Sequence, residues 1–134
     1  MIIAPVVHAT TGLGLEVAPM ALGPSPSSAD VAAALADALS NSGRIVPHPT
    51  QSEWPGFFKP FLEAAGVRSF KAFMADATSV GIDDLGDDLR LTPNRNRGAK
   101  EGFAAMVEEA LVVPKADGER SAEALLAMLG KDVR

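Results

Sequence analysis

Four aspartates, Asp83, Asp84, Asp87 and Asp88, form the densest acidic group of the chain, and Asp76 precedes them. From Ala72 through Leu89 there is no Lys or Arg. Carboxylates at this density can hold a cation, decorate a solvated turn or meet a basic protein surface. A calcium loop needs alternating Asp or Asn ligands and a terminal Glu, and that spacing is missing. A turn uses only one or two Asp for its local hydrogen bonds. Four carboxylates close together repel one another, and a basic partner relieves the repulsion while speeding encounter. The expected role of Asp83, Asp84, Asp87 and Asp88 is therefore partner binding, with an ordinary solvated turn as the alternative.

Other residue types that do chemistry are sparse. His8 and His48 sit in separate segments. Neither has a second ligand at a spacing that would bring two side chains onto one metal ion. No phosphate-binding loop, dinucleotide fingerprint or nucleophile elbow is present, and Gly12-Leu13-Gly14 lacks the helix that would give a glycine pair meaning. The segment Asn94-Arg95-Asn96-Arg97-Gly98-Ala99-Lys100 is the densest basic group. Its arginines suit bidentate anion contacts, but such a loop more often pairs with nearby carboxylates, and Arg95 is expected to tie it to one. A small hydrolase or ligand-binding enzyme would have to bring His8 or His48 together with the Arg95–Arg97 loop in one cleft. No catalytic residue, metal ligand or cofactor is expected.

Bulk properties narrow the classes further. A length of 134 residues suits one domain with one core, so a single domain over 1–134 is expected. With 47% hydrophobic and 22% charged residues, the chain has the material for that core. A formal net charge of −5 gives no electrostatic reason to hold nucleic acid directly, but it favours a basic protein partner. Absence of Cys excludes disulfides and thiolate metal sites and fits a reducing cytoplasm. No apolar run reaches the length of a membrane span. Met1-Ile2-Ile3-Ala4-Pro5 lacks the leading Lys or Arg of a secretory signal and reads as mature protein.

The elements that would position these groups follow from periodicity and turn chemistry. Residues 2–8 and 13–18 are Val- and Ile-rich strands, with Pro5 marking an edge or an irregular start. After the loop at 23–27, Ser27 caps a helix whose apolar face is Val31, Ala34, Leu35, Ala38 and Leu39, stopping before Gly43. Residues 44–46 are a short strand. Phe57, Phe58, Phe61, Leu62 and Ala65 form an apolar stripe, but Pro60 conflicts with a helix running through it, so the helix starts late or is kinked. Ser69 caps a short helix through Ala77. The alternation at 79–83 and 88–92, with turn residues between, predicts a β-hairpin over 79–92. A polar loop is expected from Pro93 to Gly102, then a strand at 108–113. A last helix begins near Gly118, capped by Asp117, and buries Ala122, Leu125, Leu126 and Leu129. The aromatics from Trp54 to Phe73 are expected mainly in the core. Together these give an α+β fold, a small antiparallel or mixed sheet packed against about four helices. The run Leu15–Pro19 is echoed by Ala110–Pro114, each followed by a polar loop and a helix; both a weak duplication and two ordinary β-loop-α units account for it.

Trp54-Pro55, Phe57-Phe58-Lys59 and Phe61, then Gly66-Val67 and Ser69-Phe70-Lys71-Ala72-Phe73, resemble the central segment of the bacterial immunity proteins of contact-dependent growth inhibition systems. Leu89, Leu91-Thr92-Pro93, Arg95-Asn96 and Gly98 continue the likeness. Gly102-Phe103, Leu111-Val112-Val113-Pro114 and a closing helix with Ala122, Leu125, Leu126 and Leu129 complete it, over roughly residues 54–129. Residues 1–50 carry none of it. The resemblance implies a non-enzymatic cytoplasmic protein that binds the C-terminal domain of one cognate toxin in a heterodimer and blocks it. Toxins of these systems are often nucleases, whose nucleic-acid cleft is cationic; a carboxylate-rich inhibitor is complementary to such a surface.

Overall fold

The computed structural model describes residues 1–130. The fold is α+β. The chain divides into two compact units, one spanning Met1–Arg68 and one beginning at Ser69. Its strands gather into three small sheets among the described residues, two antiparallel and one mixed.

In the first unit the apolar run at the N-terminus makes two strands, β1 (Ile2–Ile3) and β2 (Val6–Ala9). Pro5, which has no N–H to give to a ladder, stands at the break between them. Its carbonyl accepts from Val17 N–H at 3.0 Å. β2 pairs antiparallel with β3 (Gly14–Glu16), setting Val7 opposite Leu15, and parallel with β5 (Ile45–Val46), setting His8 opposite Ile45. β1 pairs with β4 (Met20–Ala21), a strand too short for any period to register in the sequence. Val7, Ala9 and Leu15 are buried together, with Val17, Val46 and Phe57 packed against them.

The helix α1 (Ser28–Ser40) lies between β4 and β5 in the chain, and Ser27 Oγ accepts the Asp30 N–H at 3.1 Å as its cap. Val31, Ala34, Leu35 and Ala38 are buried, matching the expected stripe. The conflict at Pro60 is resolved by two short helices, α2 (Trp54–Phe57) and α3 (Lys59–Ala65). Pro60 falls in the first turn of α3, where no N–H is needed. Gly66 ends α3 at φ 70°, a left-handed conformation that only glycine adopts cheaply.

The second unit opens with α4 (Phe70–Ala75), capped by Ser69 Oγ and two residues shorter than expected at its end. The predicted hairpin is present as β6 (Ser79–Asp84) and β7 (Asp88–Asn96). Along the other side of β7 run two collinear strands, β8 (Phe103–Ala105) beside Asn94–Asn96 and β9 (Leu111–Pro114) beside Asp88–Leu91. A 3-10 turn at Val107–Glu109 separates them, where a strand was expected from residue 108. Leu89, Leu91 and Val113 are buried, and α5 (Gly118–Leu129) packs against β6, β7 and β9. Asp117 caps α5, as expected, by accepting the Arg120 N–H at 3.0 Å. Its buried positions are Ser121, Ala122, Leu125 and Met128, whereas Leu126 and Leu129 are only half-buried.

Two further sequence expectations are corrected. The polar loop predicted from Pro93 starts later, because β7 continues through Pro93 to Asn96. Pro93 is tolerated inside a central strand because its N–H side faces the break between β8 and β9, where only its carbonyl is used, accepting from Met106 N–H at 2.9 Å. The aromatic segment is not mainly core. Phe61 is buried, Phe57, Phe58 and Phe73 are half-buried, and Trp54 (39% exposed) and Phe70 (43%) reach solvent.

Candidate functional site

The acidic group lies at the end of the β6–β7 hairpin. Leu85 N–H donates to Asp88 carbonyl at 2.8 Å, so Gly86 and Asp87 alone make the turn. Gly86 has φ 99° and Asp87 does not share that sign, the arrangement of a type II′ turn, which demands glycine first. Every residue from Asp83 to Asp88 is exposed, including Leu85 at 50%.

The four carboxylates are not equivalent. Asp83 and Arg90 face each other across the ladder and form an ion pair at 3.1 Å. Asp84 accepts from Lys115 Nζ at 2.7 Å and from the Gly86 N–H at 2.9 Å. The hydrogen bond from Lys115, then that from Gly86, holds the Asp84 carboxyl below the usual carboxylate range. Lys115 follows β9 directly, and its own N–H donates to the Asp87 carbonyl at 2.9 Å, which fixes it beside the turn. The side chains of Asp87 and Asp88 have no partner among the described residues. Two carboxylates are thus neutralised by local cations, and two present uncompensated charge. The sequence could suggest Arg90, which flanks the hairpin; it gave no sign of Lys115, brought in by the pairing of β9 with β7.

The basic segment is organised by a residue that sequence reasoning passed over. Asn96 Nδ2 donates to the carbonyls of Met74 at 2.6 Å and Ala77 at 2.9 Å, while its Oδ1 accepts the Gly98 N–H at 2.9 Å. One amide therefore ties the end of α4 to the end of β7 and to the following loop. Arg97 pairs with Glu101 at 3.1 Å. Arg95, expected to make the tie, is exposed and has no partner among the described residues. A shallow groove of about 570 Å³ lies alongside, with Met74, Ala75 and Ala99 as its apolar lining and Lys71 and Lys100 as its charges. Neither Arg95 nor Arg97 lines it.

In the first unit, His8 is exposed on β2. His48 Nδ1 is 2.9 Å from Thr11 Oγ1, and its ring meets Trp54 edge-on at 5.7 Å. That bond and that ring contact account for His48 structurally. Among the described residues no three His, Asp or Glu side chains gather so as to hold a metal ion, and no helix is long and apolar enough to cross a membrane.

No protein-family model and no curated protein matches the chain. Among solved structures it is similar to a protein of unknown function from Neisseria meningitidis, with a TM-score of 0.77 and 16% identity over 99% of this chain and 88% of that one. At that identity the likeness concerns the fold.

Proposed function

We propose that this chain is a non-enzymatic immunity protein that binds and neutralises the toxin domain of a contact-dependent growth inhibition system, in the cytoplasm. The observation that carries the reading is the hairpin tip, where Asp87 and Asp88 stand exposed and unpaired among the described residues. The overall charge of −5 acts in the same direction, steering a cationic partner toward the protein. A nuclease carries positive charge to engage nucleic acid, so the C-terminal domain of a nuclease toxin is a complementary partner. The resemblance over residues 54–129 supplies the class, and the uncompensated tip supplies the contact.

The test is to identify the gene upstream of the one encoding this chain and, where it ends in a toxin-like domain, to coexpress that domain with this chain; an upstream gene without such a domain counts against the reading. A stoichiometric complex that suppresses that domain's activity and protects the producing cell is expected. If the two proteins purify apart and the cell dies, the reading is wrong.

A further inference from the structure

At the end of β7 away from the acidic tip, the second unit holds the shallow groove of about 570 Å³. One wall is α4, where Lys71, Met74 and Ala75 stand three and four residues apart and so share a face. The other wall is the loop Gly98–Lys100 that follows β7. The Asn96 amide joins the two walls, donating to the Met74 carbonyl on one side and accepting the Gly98 N–H on the other. The groove is therefore formed before anything enters it, which spares a ligand the cost of ordering it.

In an acidic chain this lining stands out by its sign. Lys71 and Lys100 are exposed, and their side chains have no partner among the described residues. Glu101, beside Lys100 in the chain, is taken by Arg97 at 3.1 Å, and Asp76 does not line the groove. The backbone N–H groups of Ala99 and Lys100 also lack a partner among the described residues. Met74, Ala75 and Ala99 give the groove an apolar lining beside these donors. Such a surface suits carboxylates that flank a modest apolar side chain. A small-molecule site buries most of its ligand, which this open groove does not do, so it fits a segment of a larger partner.

We propose that this groove docks an acidic segment of the protein partner, its Asp or Glu side chains on Lys71 and Lys100 and an apolar side chain on Met74, Ala75 and Ala99. The proposal rests on the immunity reading for the partner's identity. Asp87 and Asp88 stand at the other end of β7, roughly 25–30 Å away along the strand. A compact domain of about 100 residues is of similar width, so one toxin domain is wide enough to reach both ends. Its basic surface meets the tip and its acidic segment enters the groove, and the opposite charges at the two ends fix which way round it lies. The competing occupant is the tip of a second copy, where exposed Leu85 is flanked by aspartates. Two molecules of charge −5 repel, which disfavours it.

The test uses the full chain and a fluorescent octapeptide with Glu-Leu-Glu at its centre and Gly and Ser elsewhere. A second octapeptide carries Gln-Leu-Gln, which keeps the shape and removes the charge. The first is expected to bind and to move the amide resonances of Ala75, Ala99 and Lys100. The Gln peptide should bind about tenfold weaker, and Lys71→Ala combined with Lys100→Ala should weaken the Glu peptide to about the same degree. Arg95→Ala, outside the groove, should change binding by less than about twofold. Equal binding of the two peptides, an equal loss with Arg95→Ala, or no binding overturns the proposal. So does displacement of the peptide by a short DNA strand, which would make the lysines a phosphate site, and so does self-association that the double lysine variant abolishes. Both lysines are exposed, so the variant should melt with the wild type; should it unfold, the peptide pair and the resonance map decide. A toxin domain that binds the wild type and the double lysine variant equally sinks the groove and leaves the immunity reading standing.

Discussion

The Asn96 side chain uses three of its hydrogen-bonding positions on backbone groups from three places in the chain, Met74, Ala77 and Gly98. Asn96→Ala leaves two carbonyls and an N–H without their partner in a half-buried place. It should lower the unfolding free energy by roughly 1–3 kcal/mol, the range for leaving buried polar groups unsatisfied, and chemical denaturation would measure it. Arg95→Ala, one residue away, should stay within about 0.5 kcal/mol of wild type, because an exposed side chain without a partner among the described residues has little to lose. A reversed ranking would mean that the loop is held by charge and not by the amide. Asp84 adds a pH dependence of definite sign. Its folded pKa is depressed by the Lys115 hydrogen bond first and the Gly86 bond second, so its contribution is present above the ordinary Asp range, about pH 4. That contribution is lost as pH falls through the lower folded value. Urea midpoints of the wild type should therefore fall more between about pH 4 and about pH 2 than those of Asp84→Asn. Parallel curves would show that the Lys115 contact adds nothing to stability.

Among the elements, α3 rests on one aromatic. Phe61 is 4% exposed and stacks on Phe58 at 5.1 Å between centroids. Phe61→Ala should cost about 3–5 kcal/mol, whereas Trp54→Ala and Phe70→Ala remove side chains already near two-fifths exposed and should cost clearly less. Thermal melts of the three variants give the ranking, and an equal loss at all three would restore the aromatic segment as core. Helical spacing alone could not separate these residues, because α2, α3 and α4 are three short helices and not one long face. Where an element carried its own cap or turn residue, its signals were readable: Ser27 and the Val31–Ala38 stripe for α1, Ser69 for α4, Asp117 for α5 and the turn glycine Gly86 for the hairpin. What the sequence hid were features set by distant partners. The passage of β7 through Pro93 depends on a gap between β8 and β9, and the two-residue strand β4 exists only because β1 lies beside it. The acidic group was legible as a group, but its division into paired and unpaired members depends on Lys115, 31 residues from Asp84.

For the molecule as a whole, the distribution of charge decides what a partner meets. Arg90 and Lys115 already answer Asp83 and Asp84, so the repulsion within the tip is smaller than four adjacent carboxylates in a sequence suggest. Removing all four charges together would therefore mix two effects, loss of steering and loss of two exposed ion pairs. The cleaner variant is Asp87→Asn combined with Asp88→Asn, which touches no ion pair and leaves the Asp87 carbonyl free to accept from Lys115. Its fold should keep wild-type stability or gain slightly from the reduced acidic excess. Its association with a basic toxin domain should slow by roughly twofold to tenfold at low salt, with a flatter dependence on ionic strength. The dissociation rate should change less, because long-range attraction acts mainly on encounter. Asp83→Asn serves as the contrast: it frees Arg90, removes one negative charge where the double variant removes two, and should slow association less while also loosening the hairpin. Stopped-flow association at two ionic strengths distinguishes these outcomes. If the Asp87 and Asp88 variant associates at the wild-type rate at both, the tip is a solvated turn and the toxin is held by another surface.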